Sequence, residues 1–412
     1  MRIVLFEDEE YRNLLPLVYF RPVWQLRCGA LTLIEKMGAL FRQTETLFLA
    51  RDYLTTNALL PEQVFRPDTR SSVLFVNGRL LFGDNDRQKL GALSANQAYL
   101  ADDQVVAFRT ENQSAERYFD GGVLNKDRIK EDFQVQQTDA VLVRYPWDLI
   151  SENGFQLRQD LTRLEGLGKI AGTVDDGVAM LGKENVHIAA GARVMPGVVL
   201  NAESGPIYID QGAVVMPNAV LEGPLYLGKK SRIKIGAKIY QDTTIGPVCK
   251  VGGEVEGSII HSYSNKQHDG FLGHSYLAEW VNIGADTNNS DLKNTYGEIT
   301  VFLNGSPVKT GKRFVGLIMG DHSKTGINTM LNTGTIVGVN CNVYGAGFPP
   351  KFIPSFSMGG SSGFREYNFE KALEVAEIVM SRRQVKFSEK HKNMFRAARE
   401  LAYQVENRAR VR

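Results

Sequence analysis

The chain has 412 residues, more than one ordinary core accommodates, so two or three domains are expected. Apolar residues at 43% and charged residues at 23% suffice for buried cores and exclude disorder. The balance of 48 Lys and Arg against 46 Asp and Glu, a net +2, leaves no electrostatic footprint for nucleic acid as a partner.

No run of 18 apolar residues predicts a membrane span, and the opening MRIVLFEDEEYR turns acidic after Phe6, unlike a secretory leader. Three widely separated cysteines, Cys28, Cys249 and Cys341, form no CxxC pair. They point to a reducing cytoplasm rather than to a disulfide framework or structural zinc.

In chain order, Arg2–Phe6 predicts a short buried strand, and Leu31–Phe41 a helix with Leu31, Ile34, Met37 and Leu40 on one face. Thr46–Ala50 predicts a second strand. Val73–Val76, Asn77-Gly78 and Arg79–Phe82 predict a hairpin, Gln104–Arg109 and Ala140–Arg144 further strands, and Trp147–Leu167 a helix. Strands alternating with helices make residues 1–170 an α/β, Rossmann-like domain.

Glycine then becomes dense: 27 of the 40 fall in residues 171–348. Every sixth residue from Ile209 is aliphatic, through Val215, Leu221, Leu227, Ile233, Ile239 and Ile245 to Val251. Ile188, Val194 and Leu200 precede this column, and Met319, Thr325, Leu331, Val337 and Val343 resume it. A six-residue period fits neither a helix nor simple alternation. It fits a parallel β-helix with three hexapeptides per coil and one aliphatic column inside. The repeat is expected to break between Ser258 and Lys312, where Glu298–Leu303 and Ser306–Lys312 read as a hairpin about Asn304-Gly305. Insertions in solenoids often mark the binding face. Residues 349–364 read as a Pro/Gly/Ser linker. Residues 365–412 read as a helical tail with twelve Lys and Arg against seven Asp and Glu: a solvated helix, a cap on the prism or a clamp on an anion. The expected division is thus 1–170, 171–348 and 349–412.

The segments LPLVYFRPVWQLRCGALTLIEK (15–36), VNGRLLF (76–82), RYPWDL (144–149), HSYSNKQHDGFLGHSYLAEWVNIGADTNNSDLKNTYG (261–297), GDHSKTGINTMLNTGTIVGVN (320–340) and PPKFIPSFSMGG (349–360) extend over nearly the whole chain. On them it resembles the bifunctional N-acetylglucosamine-1-phosphate uridyltransferase / glucosamine-1-phosphate N-acetyltransferase family, in its divergent Bacteroidetes-type branch. The resemblance implies a nucleotidyltransferase-like domain followed by a left-handed parallel β-helix. It also implies a cytoplasmic homotrimer that binds small molecules and neither membrane nor nucleic acid. The implied reactions are acetyl transfer from acetyl-CoA to glucosamine-1-phosphate, and transfer from UTP, with Mg2+, to give UDP-N-acetylglucosamine, a cell-wall precursor.

The family's glycine-rich phosphate loop is absent: EDEEYRN follows the first strand, and no glycine occurs before Gly29. Phosphate binding then falls to side chains, with Arg21, Arg27 and Lys36 as candidates because arginine forks match phosphate oxygens. The metal ligands are not assigned.

Acetyl transfer needs a base for the amine, a donor for the oxyanion and a place for both substrates. Histidine is the usual base near neutrality. Of the six present, the resemblance selects His268, fourteen residues before Asn282 of Asn282-Ile283-Gly284-Ala285. It places Asn282 on the sugar or acetyl group, the Ala285 amide at the thioester carbonyl, and Lys250 or Lys266 at the sugar phosphate. Phe271 stands where the family has tyrosine.

Three other readings are open to the sequence. One is a nucleotidyltransferase for another sugar-1-phosphate with the β-helix as oligomerisation scaffold. The second is a non-catalytic scaffold. The third is a three-histidine zinc enzyme, which the six-residue spacing of His268 and His274 disfavours because it sends them to different faces.

Overall fold

The computed structural model describes residues 2–42, 44–57, 63–66, 72–83, 85–164 and 166–408. The N-terminal unit is built on one mixed sheet. Its central strand, Arg2–Asp8, pairs in parallel with Glu45–Leu49 on one side and Val73–Asn77 on the other. Gln104–Thr110 adds antiparallel to Val73–Asn77, and Gln97–Ala101 and Gln134–Gln137 complete that edge. The strand, helix and strand expected over residues 2–50 are present, the helix running Leu33–Leu40 behind a Thr32/Glu35 capping box. The expected hairpin at 73–82 is not formed. Val73–Asn77 pairs instead with the distant Gln104–Thr110, and residues 79–82 meet the 140–144 segment through a Leu80–Leu142 bridge and the Arg79 guanidinium donating to the Val143 carbonyl. That long-range pairing is also why Ala140–Arg144 is not a strand.

From Thr173 the chain winds as a three-faced parallel β-helix. The second face, from Val186–Ile188 to Phe352–Ile353, holds nine strands. The predicted column, Ile188 through Val251 and again Met319 through Val343, is buried inside the prism, with Thr325 as its one hydroxyl. The repeat does not break at Ser258. It continues inward through Val255, Ile260, Lys266, Leu272, Leu277, Ile283 and Asn289, with two polar residues in the column and a few shortened turns that obscure the period. The interruption is the hairpin alone, Thr300–Leu303 with Ser306–Lys309. Its Ile299, Val301 and Leu303 pack inward, and Asn304 contacts Arg12 and Asn407. The hairpin therefore braces the N-terminal unit and the tail and is not on the binding face.

Residues 349–364 are not a linker. Phe352–Ile353 extends the second face, while Ser357–Gly360 with antiparallel Gly363–Glu366 ends the third, so the prism runs to about residue 366. Two helices follow, Phe369–Ser381 and Glu389–Val405.

The second face serves two cores because strand side chains alternate. Ile260, Leu277, Met319 and Val337 point into the prism. Their neighbours Ile259, Tyr276, Ile318 and Ile336 point out, into a cluster shared with Leu14, Val18, Leu26 and Trp147 of the N-terminal unit and Phe395, Ala398 and Ala402 of the tail.

Candidate functional site

The edge between the third and first faces brings together His268, Asn282, Ala285 and Lys250 of the expected site residues. Along the third face the outward residues of successive coils form a ladder: Arg232, Lys250, Asn265, Asn282, Lys324 and Asn342. Parallel strands stack at roughly 4.8 Å per step, so Lys250 and Asn282 lie about 10 Å apart. Asn282 is no mere turn residue: it bridges Asn265 and Lys324 and carries the face across the coil that bears the hairpin. Three residues past Asn265 the chain turns the corner at His268.

His268 is the one exposed histidine of the six, and its ring makes no hydrogen bond or ion pair among the described residues. The others are engaged. His187 meets the Gly166 carbonyl at 2.7 Å, His261 meets Glu279 at 3.1 Å, His274 meets Asp291 at 2.8 Å, and His391 caps a helix. His322 is sealed between Trp280, Phe20 and Phe395. An unpartnered imidazole at a solvent-facing corner is open to a substrate proton.

The corner above His268 is Gly284-Ala285-Asp286, held in register by the Asp286 amide donating to the Asp269 carbonyl at 3.0 Å. The Ala285 carbonyl accepts from Asn328, while its N–H is unclaimed among the described residues. A donor one coil above an unpartnered histidine suits a developing oxyanion. The next corners, Gly326–Met330 and Tyr344–Gly347, line a groove of about 800 Å³ with Asp286 and Asn288. Ile327, Met330, Tyr344 and Phe348 are exposed there.

Lys266 does not reach substrate. It takes an inward position above Val251 and is 1% exposed. Its Nζ donates to the Gly252 carbonyl at 3.0 Å and the His268 carbonyl at 2.7 Å, tying down the turn that presents His268. Burial pushes its ammonium down to about 8. Lys250 sits on the ladder, half-buried. Its ammonium is lowered first by burial and then by Arg383, Arg232, Lys234 and Arg382. Arg232, Lys324 and the arginines of the tail are thus neighbours of the site that residue spacing did not single out. Lys324, one step above Asn282, is pushed down to about 8 by burial. An outward position in a repeat looks solvated until the ladder is assembled.

The three residues expected to cradle phosphate do not. Arg21 is buried between Asp321 and Glu279, both on the β-helix. Arg27 is buried; its side chain donates to the Ala30 carbonyl and its amide to the Tyr276 hydroxyl. Lys36 is fully buried at 2.6 Å from Asp160. The charges of Arg27 and Lys36 are spent within the N-terminal unit, on the Ala30 carbonyl and Glu35 and on Asp160, while that of Arg21 seats one unit on the other. Glu279 records this: burial alone would raise it, yet Arg21 and His261 hold it down at about 2.

The end of the central strand of the N-terminal sheet is acidic. Glu7 is consumed by Arg51 and Asp8 by Arg79 and Asn77. A crevice of about 240 Å³ there is lined by Asp8, Glu9, Glu10, Gln104, Asp120, Asn125, Lys126 and Asp127. Among the described residues no three carboxylate, histidine or cysteine groups converge to hold a metal ion. Asp8 is already accepting from Arg79 and Asn77, and the other carboxylates lining the crevice are Glu9, Glu10, Asp120 and Asp127. No helix among the described residues is long and apolar enough to cross a membrane.

Residues 3–167 match the family model described as Sugar nucleotidyl transferase. The chain is 29% identical over 240 residues to a bifunctional sugar-1-phosphate nucleotidylyltransferase/acetyltransferase of Sulfurisphaera tokodaii, covering 54% of this chain and 53% of that protein. It is 27% identical over 207 residues to the bifunctional protein GlmU of Methanococcus vannielii, covering 48% and 42%. The chain thus spans about half the length of the curated relatives it matches. Among solved structures, a UDP-N-acetylglucosamine acyltransferase from Campylobacter jejuni aligns at 12% identity and a TM-score of 0.21, over 55% of this chain and 95% of that one. A likeness that low carries no argument about site or substrate. The N-terminal unit carries the sugar nucleotidyl transferase pattern, and the chain is similar to the bifunctional sugar-1-phosphate nucleotidylyltransferase/acetyltransferases.

Proposed function

We propose that the chain transfers the acetyl group of acetyl-CoA to the amine of glucosamine-1-phosphate. The observation that carries this reading is the corner itself: an exposed, unpartnered His268 directly below an unclaimed Ala285 N–H, beside the Lys250–Asn282 ladder. The amine is largely protonated near pH 7. One proton of the ammonium passes to solvent, and the amine lone pair then attacks the thioester carbonyl carbon while His268 takes a second proton from the nitrogen. The oxyanion forms against the Ala285 N–H. The C–S bond then breaks, and His268 returns the proton to the departing thiolate. The apolar-rimmed groove above Ala285 is the place for the acetyl-CoA arm, and its exposed Ile327, Met330 and Tyr344 suit closure by a neighbouring copy in a homotrimer.

Nucleotidyl transfer from UTP is the second half of the proposal and rests on the family match of residues 3–167. The acidic crevice lends it no phosphate cradle, so the acetyl half is the better supported. The test is release of CoA thiol from acetyl-CoA and of pyrophosphate from UTP over a panel of sugar phosphates. Glucosamine-1-phosphate should release thiol, and N-acetylglucosamine-1-phosphate, whose amine is capped, should not. Folded protein that releases no thiol with any aminosugar phosphate would sink the acetyl reading.

A further inference from the structure

The two tail helices are fixed at their base. Leu373, Ala376, Phe395, Ala398 and Ala402 lie in the core shared by all parts of the chain. Beyond the second helix, buried Glu406 accepts from the Tyr19 hydroxyl at 2.8 Å and from the Ser355 amide at 2.8 Å. The turn between the helices is thereby held over the third face of the prism. Its first residues are Arg382 and Arg383, and the Arg383 guanidinium donates to Asn265 Oδ1 at 2.9 Å, across 118 residues of sequence.

Asn265 is a rung of the ladder, directly above Lys250 and Arg232. Lys234 stands at the adjoining corner, against Gly252. Five cations therefore gather at one spot: Arg232, Lys234, Lys250, Arg382 and Arg383. Arg383, Arg232, Lys234 and Arg382 all lower the Lys250 ammonium, after burial. None of the five has an ion-pair partner among the described residues. Elsewhere the chain behaves differently. The buried cations Arg21, Lys36, Arg51 and Arg79 each meet a carboxylate. An assembled, uncompensated cluster opposes folding through like-charge repulsion, and a multiply charged anion relieves it. Guanidinium forks from above and ammonium groups from below suit a tetrahedral dianion.

We infer that Arg382 and Arg383 form the upper jaw of a phosphate-monoester site whose lower jaw is Arg232, Lys234 and Lys250, so that the chain's own tail closes on the phosphate of the acceptor. The identity of the sugar rests on the acetyl-transfer reading; the anion site does not. CoA also carries a phosphate monoester, but the groove assigned to it begins one coil above Asn265, runs away from Lys250 and Arg232, and has Asp286 on its wall. The cluster is therefore assigned to the sugar phosphate. In the ligand-free chain Asn265 occupies the Arg383 fork, and the phosphate takes its place on binding.

The experiment is titration calorimetry of the full chain with glucosamine-1-phosphate, glucosamine, inorganic phosphate and dephospho-CoA against CoA, on wild type, Arg383→Ala, Arg383→Lys and the Arg382→Ala/Arg383→Ala double variant. Melting temperature serves as the folding control. Loss of one charge-assisted fork is expected to weaken glucosamine-1-phosphate binding ~10–100-fold. The expected pattern has Lys partly restoring it, the double variant weaker still, and the preference for CoA over dephospho-CoA unchanged. Wild type that fails to prefer glucosamine-1-phosphate over glucosamine overturns the inference. So does a folded double variant that binds as wild type does, or a loss confined to CoA. If phosphate binding follows the arginines while no variant, nor wild type, releases CoA thiol, the anion site stands and the acetyl-transfer reading falls.

Discussion

At the residue scale, Lys266 is the instructive side chain. Its sequence context, Asn265-Lys266-Gln267-His268, reads as an exposed basic loop. The fold turns it inward, where its ammonium bridges two carbonyls and fixes the turn that carries His268. It is a positioning residue, and Lys266→Met tests that. The variant should lower kcat for acetyl transfer about tenfold, an effect of roughly the size of one lost charged hydrogen bond. KM for both substrates should stay near wild type, and Lys266→Arg should restore part of the rate. A fall in melting temperature with kcat unchanged would leave the lysine a purely structural role. The contrast with Arg21, Arg27 and Lys36 is physical. A cation buried against a carboxylate 300 residues away, as Arg21 is, or 124 away, as Lys36 is, cannot be told by sequence from one waiting for a ligand. His268, by comparison, was singled out by the family resemblance anchored on Asn282-Ile283-Gly284-Ala285, and the two segments lie on successive coils.

At the scale of elements, His322 marks where three parts of the chain meet: Phe20 from the N-terminal unit, Trp280 from the prism and Phe395 from the tail. Burial, followed by the nearby Lys324 charge, lowers its proton affinity well below the ordinary value, and its Nδ1 has no partner. The imidazole is therefore neutral in the fold and regains its ordinary affinity, near 6.5, on unfolding. The unfolded chain binds the extra proton, so stability is lost as pH falls below about 6.5, at up to about 1.4 kcal/mol per pH unit. His322→Phe should flatten the fall in melting temperature between pH 6.5 and 5.5; an unchanged slope would place the acid sensitivity elsewhere. The aliphatic column that defines the prism was readable because six-residue spacing survives wherever coils are regular. The coil from Ser258 to Asn289 was misread because Lys266 and Asn289 stand where aliphatics were sought. The terminal coil at 349–364 was taken for a linker because its turns are rich in Pro, Gly and Ser.

At the scale of the molecule, the expected independence of residues 1–170 and 171–412 does not match the shared core. Cutting there would strip the N-terminal side chains from the cluster that buries Ile259, Tyr276, Ile318 and Ile336. At roughly 1.5–3 kcal/mol per fully buried side chain, the loss is comparable with the whole stability of an ordinary domain, about 5–15 kcal/mol. The cut would also leave Asp321 and Glu279 without Arg21. A fragment of residues 171–412 should therefore aggregate or bind a hydrophobic dye. One that melts as a monodisperse species at the full-length temperature would show the halves to be separable. Two periodicities in the sequence marked two architectures; they carried no information about the face on which those architectures join.

The central claim is that the His268 corner performs acetyl transfer, and the most direct measurement compares His268→Ala with His274→Ala in acetylation of glucosamine-1-phosphate. His274 stands on the next corner, tied to Asp291 and packed on Phe314, and serves as the matched control. Removing a positioned base should lower kcat/KM ~10²–10⁴-fold in His268→Ala, with the melting temperature unchanged and His274→Ala within a few-fold of wild type. Full activity in His268→Ala, or abolition by His274→Ala alone, would contradict the account.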